Sequence, residues 1–140
     1  MTEHQYDPSL PANCPPSTAK AAEGRVYRLV SADGPKPCDF LPMAVIQPER
    51  CKKPPTCSEW AVSVWRSISD FCRSRKRVQG LRRRYPQLAS GDLSPRMGVV
   101  MEKKGHCSWW VPENQSPHQV FEVLSPETAE VRALNRISEP

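Results

Sequence analysis

The chain has 140 residues, 38% of them hydrophobic, and carries 20 Lys and Arg against 15 Asp and Glu for a formal charge of +5. That length and apolar content suit one modest core rather than two, and no run of about eighteen apolar residues is present to cross a membrane. Sixteen prolines against six glycines place extended loops in three stretches, residues 8–16, 35–55 and the tail from Pro112, because proline fixes φ and lacks an amide hydrogen.

Residues 1–24 are polar, rich in proline and alanine and without periodicity, so a disordered arm is expected there. The start, Met1 to Asp7, has no basic stretch followed by an apolar run. No export signal is recognised, a cytoplasmic location is expected, and the six cysteines are expected as free thiols.

Arg25 to Val30 mixes β-branched and aromatic residues and ends in the turn-forming Ser31-Ala32-Asp33-Gly34-Pro35, the pattern of a strand. Trp60 to Trp65 reads as a second strand, with Trp60, Val62 and Val64 on one face and Ala61, Ser63 and Trp65 on the other. Alternation alone does not say which face is buried. Ser67 followed by Asp70 forms a helix start, and Ile68, Phe71, Cys72, Val78 and Leu81 continue at helical spacing until Pro86. One long helix over 68–84 is expected, with Arg75 and Arg82 at the margin of its apolar stripe, either snorkelling or beside a deformation near Gly80.

Short strands follow at 87–93 and 97–103, then at 106–111 and 119–124. Ser125 with Pro126 reads as a cap and first helical position, so 126–136 forms a closing helix or a frayed tail. The order gives an α+β domain over 25–124, a mostly antiparallel sheet packed on one long helix, with 125–140 as a C-terminal helix or tail.

Three groups of residues stand out chemically. His106-Cys107-Ser108-Trp109-Trp110 sets a ring that titrates near neutrality beside half of the four tryptophans. An indole of Trp109 or Trp110 would stack a base while His106 contacts phosphate or acts as an acid or base. Arg73, Arg75, Lys76, Arg77, Arg82, Arg83 and Arg84 form a cationic run with no acid among them. Such a helix repels itself and suits a polyanion, either an acidic protein or nucleic acid. Finally, Cys51 and Cys57 with His106 and Cys107 have the softness zinc prefers, but none of its usual tight spacings, and no metal site is assigned.

The succession Val26-Tyr27-Arg28, Asp39-Phe40, Ser63-Val64-Trp65-Arg66, Leu93-Ser94-Pro95 and His106-Cys107-Ser108-Trp109-Trp110-Val111-Pro112 resembles an uncharacterised family of short bacterial proteins. Members of that family carry a hydrophobic-Trp-Arg strand, a Leu-Ser-Val-Phe strand and a His-His-Thr-Trp-Trp-Pro segment. More distantly, a first-strand arginine, a second-strand serine and a late histidine resemble the ADP-ribosyltransferase-like fold. That resemblance implies that Arg28 holds a dinucleotide such as NAD and that Ser63 braces the ribose pocket; Glu113 and Glu122 are the acids nearest to the family's late glutamate. The expected function is thus a small module binding a nucleotide or phosphorylated group between Arg28, Ser63 and the 106–110 segment, with His106 and Ser63 as candidate catalytic groups. The alternative is an interaction protein that offers Arg73, Lys76, Arg77, Arg83 and Arg84 to an acidic protein or nucleic acid.

Overall fold

The computed structural model describes residues 4–138. Seven strands form one antiparallel sheet: β1 (Lys20–Ala21), β2 (Gly24–Val30), β3 (Val62–Trp65), β4 (Gln87–Leu93), β5 (Val99–Lys103), β6 (His106–Trp110) and β7 (Glu122–Val123), in the spatial order β1-β5-β6-β3-β2-β4-β7. Four helices accompany it: α1 (Met43–Ile46), α2 (Ile68–Phe71), α3 (Arg75–Arg84) and α4 (Ala129–Ser138). The chain is therefore α+β, as its alternation of strand and helix patterns indicates.

Alternation on the strands divides two cores. Val26 and Val30 of β2, Val62 and Val64 of β3, and Cys107 and Trp109 of β6 point to one side, where Phe40, Met97 and Phe121 arrive from loops. Leu29 and Leu88 point to the other, onto Ile68, Phe71, Val78, Val131 and Leu134 of the helices, with Tyr27 and Trp65 packed beside them. The face of β3 left open by sequence is thereby fixed: Val62 and Val64 are buried, while Ser63 and Trp65 are half-buried towards the helices. Trp60 precedes the strand, in a 3-10 turn over Cys57–Trp60.

The expected single helix over 68–84 is two helices. Ser67 does cap the first, its hydroxyl accepting from the Asp70 amide at 3.1 Å, but α2 ends at Phe71 and α3 starts only at Arg75. Residues 73–77 are all exposed, so no burial holds the helix together between Phe71 and Val78. Arg82 lies half-buried beside α4, donating to Asn135 Oδ1 at 2.7 Å and to the Pro86 carbonyl at 3.0 Å. Arg75 is exposed, and the helix runs through Gly80 without a break. The closing helix starts later than expected, at Ala129, where the Thr128 hydroxyl accepts from the Val131 amide at 3.3 Å.

The expected disordered arm is another correction, over its described residues. Lys20 and Ala21 pair with Val100 and Val99, the Ala22 amide donates to the Gly98 carbonyl at 2.9 Å, and the Glu113 amide donates to the Gln5 carbonyl at 2.8 Å. A disulfide joins Cys14 to Cys57. A proline-rich segment that cannot build its own core is held by a covalent tie and by completing the sheet edge. The bridge also overturns the expectation of six free thiols; Cys38, Cys51, Cys72 and Cys107 are the free cysteines. Disulfides persist in oxidising surroundings, which differs from the reducing setting read from the sequence. Among the described residues, no helix is long and apolar enough to cross a membrane.

β5 and β6 form a hairpin whose two turn residues, Lys104 and Gly105, have φ of 52° and 82°. Both signs are positive, as a tight hairpin requires. A Cβ on Gly105 would sit 2.2 Å from Asp70 Oδ2, so glycine there lets the turn approach the start of α2. This close approach places His106, the first residue of β6, opposite Trp65 at the end of β3.

Candidate functional site

β2 and β3 share one bridge, Tyr27 opposite Trp65, and then separate. The side chain of Arg28 occupies the gap. Its Nη1 donates to the Ser63 carbonyl at 2.6 Å and its Nε to the Asp39 carbonyl at 2.7 Å, with its guanidinium carbon 5.9 Å from the centre of the Phe40 ring. The Asp39 carboxylate is turned elsewhere, accepting from the Ser31 amide at 3.1 Å, the Ser31 hydroxyl at 3.0 Å and the Lys36 amide at 2.9 Å. Arg28 thus meets a backbone carbonyl where a carboxylate would be expected, and among the described residues it forms no ion pair. Burial pushes its pKa down to about 10, against the opposing pull of the Tyr85 and Asp39 charges, so it stays cationic at neutral pH.

A cleft of about 500 Å³ opens beside this guanidinium. Its lining includes Arg28, Arg50, Lys76, Arg77 and Arg84, five cations with no Asp or Glu, together with Ser63, Tyr85 and the aromatic rings of Trp65 and Phe71. Low-dielectric walls of one charge sign focus the field, so the cleft selects anions. Trp65 stacks on Phe71 with ring centres 5.4 Å apart, and Arg77 lies over the indole at 6.0 Å. The indole is thereby engaged by protein groups and serves as a wall that holds Arg77.

Behind Ser63 stands His106, with Nε2 3.0 Å from the Ser63 hydroxyl oxygen and its ring centre 4.7 Å from that of Trp65. The register of β3 with β6 sets this pair diagonally on one face of the sheet. Burial, and then the positive charge of Arg77, hold His106 below the ordinary histidine range. A neutral imidazole can accept the Ser63 proton and so fix the direction in which that hydroxyl presents its lone pairs.

The sequence-predicted residues therefore sort into distinct places. Arg28, Ser63 and His106 do converge, and Lys76, Arg77 and Arg84, assigned by sequence to a separate partner surface, join Arg28 and Ser63 around the same cleft. Trp109 is fully buried, donates Nε1 to the Met97 carbonyl at 2.8 Å and packs against Phe121, so it is core. Trp110 is 3% exposed, donates to the Cys57 carbonyl at 3.0 Å and borders a different cavity. Neither tryptophan lines the cationic cleft. Arg73 pairs with Asp70 at 2.8 Å, while Arg83 is exposed and outside the cleft lining. Glu122 is exposed on β7 and Glu113 borders the other cavity, so neither acid reaches the cleft.

Arg50, Trp65 and Tyr85 were not singled out by sequence as site residues. Arg50 ends a 3-10 turn over Pro48–Arg50 in a proline-rich loop, and only the fold brings that loop to α3. Cys51, Cys57, His106 and Cys107 are not assembled: Cys57 is in the disulfide, Cys51 Sγ donates to the Gln47 carbonyl at 3.6 Å, and Cys107 Sγ donates to Glu102 at 3.9 Å. Among the described residues, no group of three or more His, Cys, Asp or Glu is placed to hold a metal. Comparison with known proteins finds no matching family model, no matching curated protein and no matching solved structure.

Proposed function

We propose that the chain is a binding module for a small phosphorylated ligand of the nucleotide type, seated in the cleft between Arg28, Ser63 and α3. The observation that carries this reading is the convergence of five cationic side chains and no acid around a half-buried arginine that lacks a carboxylate partner. A phosphate oxygen would supply the negative charge that Arg28 does not find in the protein, and guanidinium groups match phosphate geometry in a bidentate manner. Tyr85 and Ser63 offer neutral hydrogen-bonding groups, and His106 is a positioning residue that orients the Ser63 hydroxyl. NAD remains one ligand of this class, with its pyrophosphate rather than its rings providing the grip.

The alternative, an acidic protein or nucleic acid laid along the basic helix, has less support. Lys76, Arg77 and Arg84 line a concave cleft, which favours a compact anion over an extended one. Calorimetric titration with ADP, pyrophosphate and adenosine tests the proposal. ADP and pyrophosphate should bind saturably and adenosine should not. The exposed pair Lys76→Gln and Arg84→Gln should weaken ADP by about tenfold or more, since each lost charge-assisted bond is worth roughly 1.5–3 kcal/mol. Equal binding of adenosine, or an affinity unmoved by the two changes, would overturn it.

A further inference from the structure

A second cavity, of about 340 Å³, adjoins the cationic cleft, and Leu41 contributes to the walls of both. Four aromatic residues line it: Tyr6, Phe40, Trp60 and Trp110. Three buried side-chain polar atoms are without a hydrogen-bond partner among the described residues, namely Tyr6 Oη, Trp60 Nε1 and His118 Nδ1. All three belong to residues that line this one cavity. Buried polar groups nearly always find partners, and orphans gathered in one wall mark a place where something else supplies them. The indole N–H can only donate and the phenol can donate, so what they lack is an acceptor. Burial raises the pKa of Tyr6, which keeps its hydroxyl protonated.

The charge of the walls narrows the ligand further. Asp7 and Glu113 border the cavity and no Lys or Arg does, although the chain has 20 of them. Aromatic faces also attract cations and stack on flat rings. We propose that this cavity is a second ligand site, built for a small neutral or cationic aromatic molecule that carries a hydrogen-bond acceptor. Its selectivity is opposite to that of the neighbouring cleft, and it does not depend on what that cleft binds.

The test uses three probes of one shape: quinoline-3-carboxamide, its N-methylquinolinium analogue and quinoline-3-carboxylate. The Trp60 Nε1–H resonance is followed by NMR in the intact chain. The carboxamide and the cation should shift that resonance saturably, and the carboxylate should bind about tenfold or more weakly because it meets Asp7 and Glu113. Tyr6→Phe, which removes only the hydroxyl, should weaken the carboxamide by about threefold to tenfold, the effect of one neutral hydrogen bond. Added ADP should leave these affinities unchanged, so failure at this site is distinguishable from failure at the cationic cleft. No shift with any probe at millimolar concentration would overturn the proposal. So would equal binding of the carboxylate, or Tyr6→Phe and Trp60→Phe both binding like the unaltered chain, which would make the three orphans water-satisfied wall atoms.

Discussion

Arg28 donates to the backbone carbonyl of Ser63 at 2.6 Å, just past the single bridge that joins their two strands. The guanidinium thus supports the split in the sheet and also forms the inner end of the cleft. Replacement by glutamine should remove both bonds and leave two carbonyls short of a donor, at a cost of about 1–3 kcal/mol. Lysine should not rescue, because one ammonium cannot reproduce the planar fork that reaches Ser63 and Asp39 together. Urea unfolding of Arg28→Gln and Arg28→Lys checks this; midpoints equal to the unaltered chain would contradict it.

The Cys14–Cys57 bridge spans 43 residues. In the loop-entropy treatment a closure of that length is worth about 4 kcal/mol. Thiol titration of the denatured, unreduced chain should find four free groups, those of Cys38, Cys51, Cys72 and Cys107. Removing the bridge with Cys14→Ser and Cys57→Ser should lower the melting temperature by many degrees, and truncation before Glu23 should lower it further by removing β1. Six titrating thiols would contradict the account.

Two adjacent arginines of α3 should behave differently. Arg82→Ala breaks bonds to Asn135 and Pro86 that tie α3 to α4 and to the following turn, and should cost about 1–2 kcal/mol. Arg83→Ala alters an exposed position and should stay within about 0.5 kcal/mol. Thermal unfolding of the two variants, compared side by side, measures the difference.

His106 has a lowered pKa, through burial first and the Arg77 charge second. The unfolded chain therefore takes up this proton at higher pH than the folded one does. The stability contributed by the neutral ring is complete above the ordinary value of 6.5 and is lost as pH falls through the lower folded value. An NMR titration of the ring should give a midpoint below 6.5, and Arg77→Gln should raise it. A midpoint that Arg77→Gln leaves in place would show that the two groups are not coupled.

Strands were the most legible part of the fold. Gln87–Leu93 stands where its pattern put it, and β2 and β6 differ from expectation by a residue at one end. Their runs of β-branched and aromatic residues between turn signals are local information. Arg28, Ser63 and His106 were legible as residue types, but the sequence set them apart from the basic helix as two rival functions. Only the separation of β2 from β3, and the helix break at residues 72–74, turn Lys76, Arg77 and Arg84 to the side where Arg28 waits. Trp109 and Trp110 looked alike in sequence and are core and cavity wall, because the sheet's two faces differ in what covers them. The arm's role rests on a disulfide and an edge pairing, both made with residues distant in sequence and invisible to local pattern.

The cationic cleft is tested most directly by the side-chain Nε–Hε resonances of the arginines during titration with pyrophosphate. The account predicts saturable shifts for Arg28, Arg50, Arg77 and Arg84 with a common dissociation constant, while Arg83 and Arg96, which do not line the cleft, stay in place. Shifts spread evenly over all exposed arginines, or an Arg28 resonance that does not move at saturation, would contradict it.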